Sequence, residues 1–244
     1  MYMSTSDSSD EHHYAVMDAA ELSMMQLSDS FFPTGMYSMS NGLEAIFYSG
    51  KKIKAEELRE LVKTLIEYQI GPADCTALGN AYENAANSNL SRLLEVDRAI
   101  FSMKLVQEIR DASIRSGTQL VRCIRSFCED KMLGQYENAI RGGKASGAYP
   151  VALAVAANAL LIPKKRAALM LLYSFSVSMV GAALRLGMLQ HFEGQKVIDE
   201  LKPTIITVTK TNINRPLEGI WQFAPSIDII QISHERMNSK MFIT

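Results

Sequence analysis

Residues 102–128 read SMKLVQEIRDASIRSGTQLVRCIRSFC, and their spacing decides the fold class. Leu105, Ile109, Ala112, Ser116, Leu120, Ile124 and Phe127 recur at intervals of three and four. Glu108, Arg110, Arg115, Arg122 and Arg125 fill the opposite face. This is the period of an amphipathic α-helix. Upstream, Leu58, Leu61, Val62, Leu65 and Ile66 repeat it with Lys and Glu between them.

Working outward, the same period predicts helices near 18–30, 40–49, 54–69, 73–87, 90–100, 102–128, 147–160, 164–186 and 189–210. A short helix is predicted near 131–140. Pro33-Thr34-Gly35, Gly50, Gly71-Pro72, Gly142-Gly143 and Pro163 fall between these segments, as breakers should. Pro203 lies inside the last one and predicts a kink or break. Few segments alternate with period two. Asn41-Gly42 could open a hairpin, but Glu44 three residues after Asn41 fits a capping box at a helix start. The expectation is an all-α, single-domain bundle of about ten helices over 18–210. A disordered tail over 1–17 precedes it, and a non-regular, partner-binding tail over 211–244 follows.

Composition narrows the function. The chain has 244 residues, 48% of them hydrophobic, with a formal net charge of -1. That is enough apolar material for a core, and there is no basic field for nucleic acid or an anionic membrane. Cys75, Cys123 and Cys128 show no metal-clip or disulfide spacing, and the first residues lack a basic head and an apolar run. A cytoplasmic protein is expected. Two uncharged runs, 145–162 and 167–184, approach membrane-spanning length. Their Ala, Ser and Gly content and Asn158 read better as central helices surrounded by others, so no membrane partner is expected.

Chemistry is sparse. The four histidines are His12, His13, His191 and His234. His12-His13 reads as a solvated tail pair; the functional alternative is a weak, adventitious metal site, which beside the family resemblance given below becomes a helical nickel-binding metallochaperone using these histidines and the cysteines. His191 and His234 have no i+4 His or Cys partner, and no phosphate-binding glycine loop occurs. No catalytic, cofactor or metal residues are assigned, and the chain reads as a non-enzyme that holds partners. The fourteen methionines read as adaptable core filler, with Met24, Met25, Met36 and Met39 as a possible plastic surface.

Five local signatures remain. They are LSMMQLSDSFFPTGMYSMSNGLEA at 22–45, QEIRDAS at 107–113, SGAYPV at 146–151, ALRLGMLQ at 183–190 followed by Gly194-Gln195, and the tail from Asp228 with His234-Glu235 and Lys240-Met241-Phe242. In this order and at these intervals, over residues 22–244, the chain resembles the urease accessory protein UreF family. Met39 and Ala148 stand where that family often has His, and Lys240 stands where it has Arg.

The resemblance implies an all-α homodimer that binds UreD (also called UreH) and with it recruits the GTPase UreG. It implies a role in modulating GTP hydrolysis during nickel delivery to apo-urease. It also implies partner-contacting roles for Tyr37, His234, Glu235, Lys240, Met241 and Phe242, the last as an aromatic anchor in a tail that orders on partner binding. Structural or dimer roles follow for Pro33, Gly35, Glu44, Arg185, Gly194 and Gln195. Lys240 keeps the charge of the family arginine but not its planar fork.

Overall fold

A computed structural model describes residues 7–29, 31–51 and 53–244, leaving aside the side chains of 7–16 and of Tyr37. The described residues contain helices and no strands. Helix α1 (Asp7–Ser28) begins inside the segment expected to be disordered. It is free of Gly and Pro and rich in Ala, Met, Glu and Leu, good helix formers.

The core forms around three helices. α8 (Tyr149–Ala159) is buried on every side from Tyr149 to Ala157, packed between α4 (Thr76–Ala86) and α6 (Gln107–Arg125). α9 (Lys164–Arg185) packs along α10 (His191–Asn212). α3 (Ala55–Leu65) closes the other side of α10 with Leu58, Val62 and Leu65, all fully buried. α5 (Leu90–Met103) and α7 (Lys131–Arg141) flank the first cluster. By length and composition α9 could cross a bilayer, but 67% of its apolar window is buried among the other helices, the placement of a core helix.

Three sequence expectations change. First, Gly71-Pro72 does not break the chain: residues Ile66–Cys75 continue α3 into α4 as a wide π-helical stretch. Pro72 cannot donate to the Tyr68 carbonyl as an α-helical residue would. That carbonyl accepts the Phe223 N–H at 2.8 Å instead. Gly71 lets α10 approach, since a Cβ there would sit 2.2 Å from Val208 Cγ1. Second, α10 runs through Pro203 without a break. Third, the 102–128 stripe is interrupted: α5 ends at Met103 and α6 starts at Gln107. Lys104 in the gap is buried against Asp74 at 2.8 Å, so Leu105 and Phe127 end up exposed while Ala112, Ser116, Leu120 and Ile124 face the core.

The C-terminal segment is more regular than expected. A 3-10 turn at Leu217–Gly219 leads to α11 (Pro225–Glu235), which opens on a proline at its first turn. Ile227, Gln231 and His234, at i, i+4 and i+7, form its buried face. Only residues after Arg236 form a non-helical tail, and it is packed onto the body.

Candidate partner-binding site

The chain around Pro33 turns with Gly35 at φ +78 and forms a single 3-10 turn, Met36–Ser38. The Ser178 hydroxyl of α9 donates to the Met36 carbonyl at 2.9 Å and to Met39 at 3.3 Å, fixing this turn on the core. Asn41 and Gly42 both have positive φ, at 51 and 91, and lead into α2 (Leu43–Tyr48). The expected capping box does not form. Ser40 Oγ accepts the Glu44 N–H at 3.3 Å, and the Glu44 carboxylate faces away from its own helix start.

That carboxylate is fully buried and holds the tail. Glu44 Oε1 accepts the Met241 N–H at 2.7 Å, and Oε2 accepts the Phe242 N–H at 3.0 Å. His234 on α11 is also fully buried. Its Nε2 lies 2.9 Å from Glu44 Oε2 and its Nδ1 2.6 Å from Glu108 Oε2. Both ring nitrogens are thus within hydrogen-bond distance of a carboxylate, which fixes the ring between α2 and α6. Burial pushes the Glu44 carboxyl up, but the His234 hydrogen bond and the two backbone N–H groups outweigh it. The net shift is below the usual carboxylate value of 4.5.

The clasp continues outward. Lys240 Nζ donates to Glu108 Oε1 and, at 3.1 Å, to the Glu235 carbonyl. Glu235 Oε1 accepts the Glu108 N–H at 2.7 Å, satisfying one of the unpaired donors in the first turn of α6. Beyond it, Ile243 N–H donates to Ser38 O at 2.9 Å, and Ser40 N–H donates to Thr244 O at 2.8 Å. Phe242 is 3% exposed, with the Arg185 guanidinium 4.4 Å above its ring, a cation–π contact.

Glu44, Glu108, Arg185 and the tail residues, far apart in sequence, therefore meet at one place. The tail packs against its own chain in this arrangement. Phe242, expected to anchor a partner, is packed in the chain's own core. His234 and Glu44 are likewise internal, whereas Met241 is 61% exposed and Lys240 and Glu235 lie at the rim. Pro33 and Gly35 are exposed in the turn. Tyr37 has its backbone in the 3-10 turn, and its side chain lies outside the described residues. Gly194 is buried where α10 crosses α9: a Cβ there would lie 2.9 Å from Val180 Cγ1. Gln195, its neighbour, is exposed.

Sequence reasoning placed Glu108 on the polar face of a 102–128 helix and inside the QEIRDAS signature, with no role in holding the tail. It also missed Asp97. This fully buried residue on α5 accepts the Tyr136 hydroxyl at 2.8 Å, the Ser146 hydroxyl at 2.6 Å and the Ala148 N–H at 3.0 Å. The SGAYPV signature is thus a structural loop, 146–148, leading into the first turn of α8. Ala148, at a frequent family His position, lends it a backbone donor. Among the described residues no group of three or more His, Cys, Asp and Glu could hold a metal ion. The His12 and His13 side chains lie outside them.

Comparison with known proteins places this architecture. A family model described as UreF matches residues 53–202. A urease accessory protein UreF of Trichodesmium erythraeum (strain IMS101) is 30% identical over 222 residues, covering 91% of this chain and 96% of that protein. UreF 1 of Brucella melitensis is 29% identical over 222 residues, covering 91% of this chain and 92% of that protein. UreF of Bacillus sp. (strain TB-90) is 28% identical over 223 residues, covering 91% of this chain and 98% of that protein. With its helical body, three of its signatures meeting at one clasp and relatives matched along nearly their full length, this chain belongs to the UreF family of urease accessory proteins.

Proposed function

We propose that this urease maturation factor is a homodimeric cytoplasmic adaptor. It binds UreD (UreH), recruits the GTPase UreG and modulates its GTP hydrolysis while nickel passes to apo-urease. The observation that supports this reading best is the clasp. Three family signatures, around Glu44, Glu108 and His234, are spent on holding residues 240–244 against the Met36–Ser38 turn, and none builds a catalytic pocket. A protein whose buried charges position a surface strap is suited to present that strap.

The exposed part of the strap carries the contact. Met241 and Ile243 point outward while Phe242 and Thr244 point inward. Lys240 fits the place of the family arginine because its two acceptors, the Glu108 carboxylate and the Glu235 carbonyl, lie on separate groups and need no planar fork.

Co-expression with the UreD and UreG proteins of the same genome, followed by size-exclusion chromatography with light scattering, tests the proposal. The full chain should form a dimer by itself and a complex containing both partners. A chain ending at Ser239 keeps His234 and the body, and should retain the dimer but lose UreG. A persistent monomer, or undiminished recruitment by the shortened chain, overturns it.

A further inference from the structure

The clasped tail forms one wall of an open cleft of about 570 Å³. Pro33, Thr34 and Gly35 continue that wall beside Ile243, and the facing wall is α6, with Arg115, Gln119 and Arg122. The buried small side chains of Ala112 and Ser116 make the floor.

The two arginines stand out among their neighbours. Arg110 donates to the Lys104 carbonyl at 3.2 Å and stacks on Phe101, and Arg125 pairs with Glu137 at 3.5 Å. Arg115 and Arg122 are exposed and have no hydrogen bond, ion pair or ring contact with any described residue. Among the described residues no carboxylate lines the cleft. Their i, i+7 spacing puts them on one face of α6, about 10 Å apart along the axis. The cleft therefore has a basic wall with nothing to neutralise it and an apolar wall made by the turn and the tail.

We propose that this cleft receives an acidic segment of a partner protein. Two of its carboxylates, about 10 Å apart, would bind Arg115 and Arg122, and an apolar side chain would lie against Pro33 and Ile243. Charge complementarity selects this occupant. Two guanidiniums on a chain of net charge -1 suit a short acidic stretch and not a nucleic acid or a bilayer, which need a broad basic field. The inference rests on the adaptor reading in one respect, that the partner belongs to the urease-maturation set. The tail supplies the apolar wall, so the cleft is complete only while the clasp is closed.

The test uses the full chain with its UreD and UreG counterparts. A photo-crosslinking amino acid at Gln119 should join the chain to a partner peptide carrying at least two Asp or Glu residues, identified by mass spectrometry. In parallel, R115Q/R122Q should weaken that partner's affinity by about tenfold, and R115E/R122E by more. Circular dichroism should be unchanged for both, because these side chains hold nothing in the fold. A crosslink to a segment without carboxylates, or to a second copy of this chain, overturns the proposal. So does an R115Q/R122Q affinity within roughly twofold of the parent, the range of an ordinary surface charge. If the chain ending at Ser239 loses UreG while R115Q/R122Q binds normally, the adaptor reading stands and this inference falls. If the parent chain forms no complex, both fall.

Discussion

Replacing Glu44 by Gln separates the tail from the body without changing the size of any side chain. In the parent, both carboxylate oxygens are occupied: Oε1 by Met241 N–H and Oε2 by Phe242 N–H and His234. A carboxamide offers one oxygen and one NH2, so one of these donors meets another donor. The fully buried His234 also loses one of its two carboxylates. Leaving buried donors without their acceptor costs about 1–3 kcal/mol each, more where the lost acceptor is charged. The tail can respond by undocking, since residues after Arg236 lie in no helix, and the loss then appears locally. At about 1.4 kcal/mol per decade, the amides of Met241 and Phe242 should exchange with solvent on the order of 100-fold faster or more. Amides of α8 should be unchanged. Hydrogen exchange read by mass spectrometry, with peptic fragments covering 236–244 and 149–159, makes the measurement. Unchanged protection at 241–242, or equal loss in both fragments, would refute the reasoning.

Further expectations follow from the same contacts. Phe242→Ala removes a buried ring under Arg185 and should cost about 3–5 kcal/mol of tail docking; limited proteolysis would show cleavage after Arg236, and a resistant tail would count against it. Gly71→Ala places a methyl 2.2 Å from Val208 and 2.6 Å from the Ile66 carbonyl. At about 1–3 kcal/mol for overpacking, with a few degrees per kcal/mol, Tm should fall by about 2–12 °C, whereas an unaltered Tm would contradict that packing. The Glu44 carboxyl is held below its usual value of 4.5, so the folded state binds fewer protons than the unfolded one. Its contribution is present above that value and is lost as pH falls through the lower folded one. Protection at 241–242, taken relative to the intrinsic exchange rate at each pH, should therefore fall in acid in the parent and lose this dependence in Glu44→Gln. Burial pushes the Cys75 thiol up to about 12, so Cys75 should stay unmodified by a thiol reagent at pH 8 until the protein unfolds; rapid labelling of the native chain would refute its enclosure.

The helices were legible because their apolar spacing is regular, and α9 and α10 ended within two residues of expectation. The clasp was harder to read for a physical reason. Glu44 lies three residues after a plausible cap, and Glu108 lies on the polar face of an amphipathic stripe, so each has a sufficient local explanation. Nothing in a linear pattern says that a carboxylate will accept hydrogen bonds from a chain 197 positions away. α11 was missed because Gln231 and His234 occupy its buried stripe where apolar residues would be looked for. The π-helical passage through Pro72 escaped notice because Gly71-Pro72 reads as a breaker in a linear pattern, while the folded chain adds the Phe223 N–H to the Tyr68 carbonyl beside it. The segments singled out by the family resemblance at 22–45, 107–113 and 228–244 meet in the folded chain. Their roles divide, with Phe242, His234 and Glu44 working inside and Met241, Lys240 and Ile243 presented outside.

The central claim is that the docked tail is the state that recruits the GTPase. If so, apparent affinity scales with the docked fraction. The decisive measurement is the Kd of UreG for this chain bound to UreD, compared between the parent and Glu44→Gln, with exchange at Met241 and Phe242 measured on the same samples. The account predicts that Kd weakens in step with the loss of docking. An unchanged Kd in a variant whose tail is demonstrably undocked would contradict it.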